Sequence, residues 1–540
     1  VIVTRCRKTP IASVPAVSSL ALLAAAAALP VPAALAQGTA TPPTPPGVTG
    51  PAAAAEAAPA AAGRDAVQRP VDVTATAAIS EEFTDNVGGV GTTGRGNDDS
   101  DFITTLNVGV GVTVDAAHTK ANAAYRLGYD HYLDNDDLSG VRHNLAGNGT
   151  YEAVEDHLFL DAATALTQRS VGLGQATATE RTAASGQTGI WTFALGPTWR
   201  HHLGDFADAS LGYRLSGSAF FETDVGDAGD SSRPSDSIGH ELNAGLVSGE
   251  QFGRLRWDLA TLFGNYYNEG ELREERRTVD LGTEYRVSPE LGILVSTGYD
   301  DIQFYETKGV SRLDAEEDDV NAPFLTAGLR FNPSPNLDAQ FEVGRRYDDP
   351  YYTGSLGWDI TSRTNLTASY TMDVVTQQQA LIEAQCADPS DPFCLPLEED
   401  LTNDSFRRKT LSVRFTHRYE RTTYGLSGSW AVREFNGTGG GDDSTLQFLA
   451  SVDHNLTPTT SGVLQVGYTL GDTATGGTRT TGVGGTGRTD EVDTLRGTVG
   501  LTQQVSEDLS GSLSYSHLRR EDGSDTSSEN SIVARLSAQF

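Results

Sequence analysis

The sequence predicts an all-β fold, a transmembrane antiparallel up-and-down β-barrel of about 22 strands with short periplasmic turns and long extracellular loops. Three observations predict it. Apolar and polar residues alternate in successive segments from Val71 to Phe540, the connections alternate between short and long, and arginines gather on the face that the apolar residues leave.

The alternation is plainest in the last ten residues, S-I-V-A-R-L-S-A-Q-F, where Ile532, Ala534, Leu536, Ala538 and Phe540 occupy every second position. A period of two gives a strand with one oily and one wetter face. The same period runs through Leu106 to Val114, Phe324 to Phe331, Thr410 to Tyr419, Tyr424 to Arg433 and Val463 to Leu470. A helical period fits none of these segments.

Short polar connections are expected at 115–118, 154–157, 203–205, 287–290, 332–336, 419–422, 456–460 and 506–508. Longer ones are expected near 86–101, 170–188, 223–236, 307–322, 376–405, 473–490 and 521–529, with a short outer turn within 343–358. A soluble sandwich has no reason to sort its loops this way, whereas a barrel with both ends in the periplasm does.

Taking the oilier parity as outward puts Trp191, Trp199, Trp257, Trp358 and Trp430 on it, with Tyr213, Phe263, Tyr285, Phe331, Phe341, Phe415, Phe448 and Tyr515. The opposite parity carries Arg126, Arg142, Arg200, Arg214, Arg256, Arg286, Arg330, Arg346, Arg408, Arg414, Arg433, Arg496 and Arg535. Asp161, Asp208, Asp258, Glu284, Asp338 and Glu342 share that side. An arginine facing lipid at mid-bilayer costs about 2–4 kcal/mol, so a dozen or so must line the lumen instead. Pore-lining arginines are therefore expected at Arg126, Arg142, Arg214, Arg256, Arg330, Arg346, Arg414, Arg433, Arg496 and Arg535. Two roles are open to them: attracting anionic solutes, or pairing with carboxylates in ladders that stiffen a wide barrel.

Residues 1–36 read as a secretory signal peptide. Arg5, Arg7 and Lys8 precede a short apolar run, and Ala34-Leu35-Ala36 is a small-residue cleavage site. Residues 37–70, rich in proline and alanine, are expected to be a disordered periplasmic tail, and 71–540 the barrel. The expected location is the outer membrane of a Gram-negative bacterium, with lipid and lipopolysaccharide around the wall. The formal charge of −33 argues against nucleic acid as a partner. Cys386 and Cys394, close in sequence and exported, are expected to form a local disulfide rather than a metal site.

No motif points to a cofactor, a metal or an enzyme. D-N-D-D-L (134–138) and D-A-E-E-D-D-V (314–320) lack calcium-loop spacing, and acidic outer loops are usually just solvated. The glycine-rich 475–488 segment lacks the Lys-Ser/Thr ending of a phosphate loop. His131, His143, His201, His240 and His417 are scattered without a catalytic signature. A TonB-dependent transporter would share the strand count but needs a folded plug, which a Pro/Ala tail does not supply.

The closing aromatic, Phe540, with apolar residues at every second position before it, resembles the C-terminal signal of bacterial outer-membrane barrels, read by the barrel-assembly machinery. It also suits an anchor at the periplasmic interface. E-E-F-T-D-N-V (81–87), G-Y-D-H-Y-L-D-N (128–135) and E-D-H-L-F-L-D-A-A-T-A-L-T-Q-R-S-V (155–171) resemble the outer-membrane barrels of PEP-CTERM/exosortase systems, which are related to porins found near exopolysaccharide genes. The matches cover the first third of the chain. The resemblance implies a porin-like channel or export conduit serving exopolysaccharide or surface-protein export, with polysaccharide or another anionic solute as cargo, and it supplies no catalytic residues. The rival expectation is a non-conducting structural or adhesive barrel whose loops bind surface polymer.

Overall fold

The computed structural model describes residues 70–88, 99–170, 187–221, 235–269, 271–305, 319–383, 405–435, 442–473, 490–522 and 525–540. The expected signal peptide, nearly all of the expected tail, Cys386, Cys394, the 475–488 segment and most of 314–320 lie outside them.

The strands run in chain order as β1 Val71–Thr84, β2 Asp101–Ala116, β3 Thr119–Tyr132, β4 Gly140–Val154, β5 Leu158–Ser170, β6 Gln187–His202 and β7 Ala207–Phe221. Next come β8 Ser237–Ser248, β9 Leu255–Asn268, β10 Glu271–Arg286, β11 Leu291–Phe304, β12 Val320–Ser334, β13 Leu337–Arg346 and β14 Asp349–Thr361. The set closes with β15 Thr364–Thr376, β16 Ser405–Tyr419, β17 Thr422–Phe435, β18 Asp443–Thr457, β19 Thr460–Thr473, β20 Asp490–Gln504, β21 Leu509–Asp522 and β22 Asp525–Gln539. One short helix, α1 (Gln377–Glu383), follows β15.

Each strand pairs antiparallel with its neighbours in sequence, and β1 pairs with β22 from Thr76↔Gln539 to Thr84↔Ser531, so the 22-stranded sheet is a closed barrel. Closure pairs the first strand with the last, so neither is left as an edge of the sheet. The last rung is Phe540, whose N–H donates to the Ala75 carbonyl at 2.8 Å while its own carbonyl accepts from Ala75 N–H at 3.1 Å.

Local chemistry explains the short turns expected on the periplasmic side. The Thr361 hydroxyl accepts from Arg363 N–H at 3.2 Å between β14 and β15, and Thr457 does the same for Thr459 between β18 and β19. Such hydroxyls stand in for a backbone acceptor in a tight turn. Gly204, at φ +61°, turns the chain between β6 and β7, a conformation that glycine adopts without strain. The turn between β8 and β9 is a 3₁₀ segment, Glu250–Phe252. There Phe252 packs edge-on against Trp257 at 5.4 Å and beside Phe206 at 5.6 Å.

The outer connections differ from expectation in two places. Residues 525–529, expected within a loop, belong to β22, and Asp522 pairs with Asp525. The β9–β10 connection is also short, since Glu271 pairs with Asn268. Between β13 and β14, Tyr347 and Asp348 both take positive φ, 56° and 62°, the mark of the two-residue turn that matches strand twist. Tyrosine is a costly residue in that conformation, and it is held there by packing described below.

Candidate functional site

Two contacts show which parity of β7 and β10 faces inward. Gln378 Nε2 of α1 donates to Ser216 Oγ of β7 at 2.9 Å, and Ser405 Oγ of β16 donates to Glu274 Oε2 of β10 at 2.6 Å. Contacts between strands that are not neighbours in the wall have to cross the interior. The inner face therefore holds Ser216, Glu274 and the residues in register with them, such as Arg214, Glu241, Tyr266 and Arg276. The other face bears exposed Trp191, Tyr213, Phe263, Leu329, Phe331, Phe341, Trp358, Phe448 and Tyr515, a large apolar exterior.

The outer end of the lumen is narrowed by two devices. The first is a pinch between β10–β12 and β15–β16. Pairing of β14 with β15 stops at Gly354↔Tyr370, while β15 stays paired with β16 up to Thr376↔Ser405. Val374 has the outward parity of its strand, yet only 2% of it is exposed, because it packs with Ile302, Val320 and Tyr347. Ile302 and Val320 face inward, so the outer end of β15 leans across the tip of the short β13–β14 hairpin. Burial pushes the Tyr347 phenol, in the turn between the strands, above its ordinary pKa and keeps it neutral.

Charges seal the pinch. Arg346 donates to Asp300 at 2.9 and 3.2 Å and to Asp280 at 3.3 Å, with its guanidinium 4.1 Å from the Phe324 ring centre. Arg276 binds the fully buried Glu274 at 2.5 and 2.9 Å, and Arg407 holds the Tyr347 carbonyl at 2.9 Å while pairing with Asp349. A charge buried this deeply needs its partner, since removal of one member leaves the other uncompensated.

The second device is α1, which lies within the stretch 376–405 expected as an outer loop. Its start is a capping box: Gln379 N–H donates to Thr376 Oγ1 at 3.2 Å, and Thr376 N–H to Gln379 Oε1 at 3.0 Å. The T-Q-Q-Q run at 376–379 was the sequence signal for it. From this cap the helix reaches the inner face of β6–β9. Gln379 Nε2 donates to Tyr266 OH at 2.7 Å, Tyr266 OH in turn donates to Glu241 Oε1 at 3.0 Å, and Leu381 packs on Ile190. Gly239 makes the room: a Cβ there would lie 2.9 Å from Tyr266 and 3.2 Å from both Gln378 and Ser216.

Four of the expected arginines pair with carboxylates. Arg142 pairs with buried Asp130 at 2.8 Å, Arg330 with Asp338 at 2.6 Å, Arg346 with Asp300 and Asp280, and Arg433 with Asp443 at 2.9 Å between the rings of Phe406 and Phe435. These are cross-strand ladders. Arg126, Arg214 and Arg256 make no ion pair among the described residues, and Arg126 and Arg256 are exposed. Arg414, Arg496 and Arg535 share the inner face with them on β16, β20 and β22.

Charges of both signs line the inner wall. Glu241, Asp258, Asp280, Glu284, Asp338 and Glu342 lie on β8–β13 with Arg256, Arg330 and Arg346, and Arg126, Arg214, Arg414, Arg496 and Arg535 lie on the other strands with Asp161 and Asp208. Most of the other inward positions there are Ser, Thr, Gly or Asn, such as Ser427, Ser429, Thr498, Ser512 and Ser514.

Among the remaining sequence candidates, His143 and His240 have outward parity and meet the hydroxyls of Tyr125 and Tyr213, each at 2.7 Å. Asp101 accepts from Leu133, Asp134 and Asn135 N–H at 3.0–3.1 Å and pins the loop that holds 134–138. Among the described residues no group of three or more His, Cys, Asp or Glu is placed to hold a metal ion.

No family model matches the sequence, and neither does any curated protein. Among solved structures, a mutant of the ferric enterobactin receptor PfeA from Pseudomonas aeruginosa is similar, with a TM-score of 0.47 and 8% identity over 87% of this chain and 80% of that one. The siderophore receptor PirA from Acinetobacter baumannii gives 0.47 and 5% over 86% and 80%, and OccAB4 from the same organism 0.33 and 9% over 87% and 98%. At such low scores and identities the likeness says nothing of cargo or mechanism.

Proposed function

We propose that the chain is an outer-membrane, porin-like conduit for acidic solutes. The observation that carries this reading is the pairing of an apolar exterior with a closed wall whose interior is lined by charges and hydroxyls. Leu329, Phe341, Val466 and Leu513 on the outer face gain by meeting hydrocarbon, at about 25 cal/mol per Å². The arginines of the inner wall would each cost about 2–4 kcal/mol in that position. Acidic solute is favoured because Arg126, Arg214 and Arg256 have no ion pair among the described residues and stand on the inner face. Cargo from an exopolysaccharide or exosortase-linked export system follows from the resemblance of residues 81–87, 128–135 and 155–171 to barrels of that kind.

Planar-bilayer recording tests the reading. Stable channels with anion preference, weakened by Arg214→Glu and Arg414→Glu, are expected; cation preference unaffected by either change would overturn it. The narrowed outer end favours a second reading, a non-conducting scaffold whose loops bind surface polymer. Silence in the bilayer together with polymer binding by the intact protein would select that one.

A further inference from the structure

The two narrowing devices are held by different physics. The pinch is closed by an apolar cluster around Tyr347 and by buried ion pairs. The helix α1 is seated by single hydrogen bonds from the uncharged amides of Gln378 and Gln379, to the Ser216 and Tyr266 hydroxyls and, at 3.4 Å, to the Glu241 carboxylate, with Leu381 on Ile190 of the far wall and Ala380 beside Val375 and Phe406 at its root. The fit is incomplete. Gln378 is 3% exposed, yet its Oε1 has no partner, and a cavity of about 20 Å³ remains beside Ser218, Ser237, Tyr266, Thr376 and Gln378. That volume admits one water. Water would satisfy every polar group on either side once they part, so the net contribution of these bonds is small.

We propose that α1 is a displaceable gate. It pivots at Thr376, leaves Ser216, Tyr266 and Glu241, and widens the outer lumen, while the pinch stays shut as its fixed abutment. The proposal rests on the conduit reading for its purpose, though not for its motion. Gly239 is the seat of the closed position, because a side chain there meets Gln378 and Tyr266 before the helix can dock.

The test uses the full chain with Cys6→Ser, Cys386→Ser and Cys394→Ser. Ser216→Cys with Gln378→Cys is bridged by a short reducible thiol crosslinker, and Gly239→Val serves as a wedge. Two conductance levels are expected for the uncrosslinked protein. Crosslinking confines it to the lower level, reduction restores both, and Gly239→Val shifts the dwell ratio toward the upper level by about tenfold. Maleimide labelling of Gln378→Cys in vesicles is an independent readout, expected to proceed and to quicken about tenfold with Gly239→Val. Conductance unchanged by the crosslink, failure of the pair to crosslink, or conduction without any labelling of Gln378→Cys would each overturn the gate. Silence of every variant while labelling proceeds would instead overturn the conduit reading and support the motion.

Discussion

Ser405 of β16 donates a 2.6 Å hydrogen bond to Glu274 of β10, although β11 to β15 separate the two in the wall. A cylinder of this many strands is wide, so side chains this far apart around it meet only if the wall itself folds in. Loss of β14–β15 pairing beyond Gly354 and Tyr370 permits that fold, and Glu274 is where it is fastened.

Glu274→Ala is expected to leave Arg276 buried without its carboxylate and to destabilise the barrel by about 3–5 kcal/mol. Unfolding by urea from lipid vesicles measures it. Glu274→Ala with Arg276→Met together should cost clearly less than the single change, and equal losses would show that the pair is not coupled.

Thr376→Ala removes the hydroxyl that caps α1 and should cost the helix about 1 kcal/mol. Global unfolding is expected to stay near that of the parent, since the helix is a small appendage on the wall. The checking measurement is amide hydrogen exchange, with faster exchange confined to residues 377–383.

Val466→Arg and Gln465→Arg separate the two faces of β19. Val466 is exposed on the apolar exterior and should lose about 2–4 kcal/mol on substitution in a bilayer. Gln465 faces inward and should tolerate arginine with little change. Equal losses in vesicle unfolding would contradict the assignment of faces.

Phe540 is 76% exposed, so Phe540→Ala removes little packing from the folded barrel. A role in assembly predicts a lower yield of heat-modifiable, folded protein in the outer membrane, with an unchanged unfolding midpoint for the molecules that do fold. A lowered midpoint with normal yield would make Phe540 an anchor alone.

The barrel itself was legible because a period of two, repeated over many strands, leaves each side chain a single face. Register follows from it, as Val108, Val110 and Val112 all facing out on β2 illustrate. The inward arginines were legible for the same reason, but their partners were not. Arg142 finds Asp130 across one rung region, and nothing in local spacing says that Asp130 is buried. The pinch was beyond reach, since Val374 continues the outward parity of its strand and departs from it only in three dimensions. The T-Q-Q-Q cap was readable in principle and was hidden by the low-regularity stretch that follows it.

The adjacency of β1 and β22 has a use of its own. Because the two strands lie side by side, a linker could splice the barrel's ends and the chain could be cut instead at an outer hairpin. Such a circular permutant would keep every rung of the sheet while moving the aromatic residue away from the carboxyl end. Its folding in detergent against its fate in cells would tell a sequence address from a structural one.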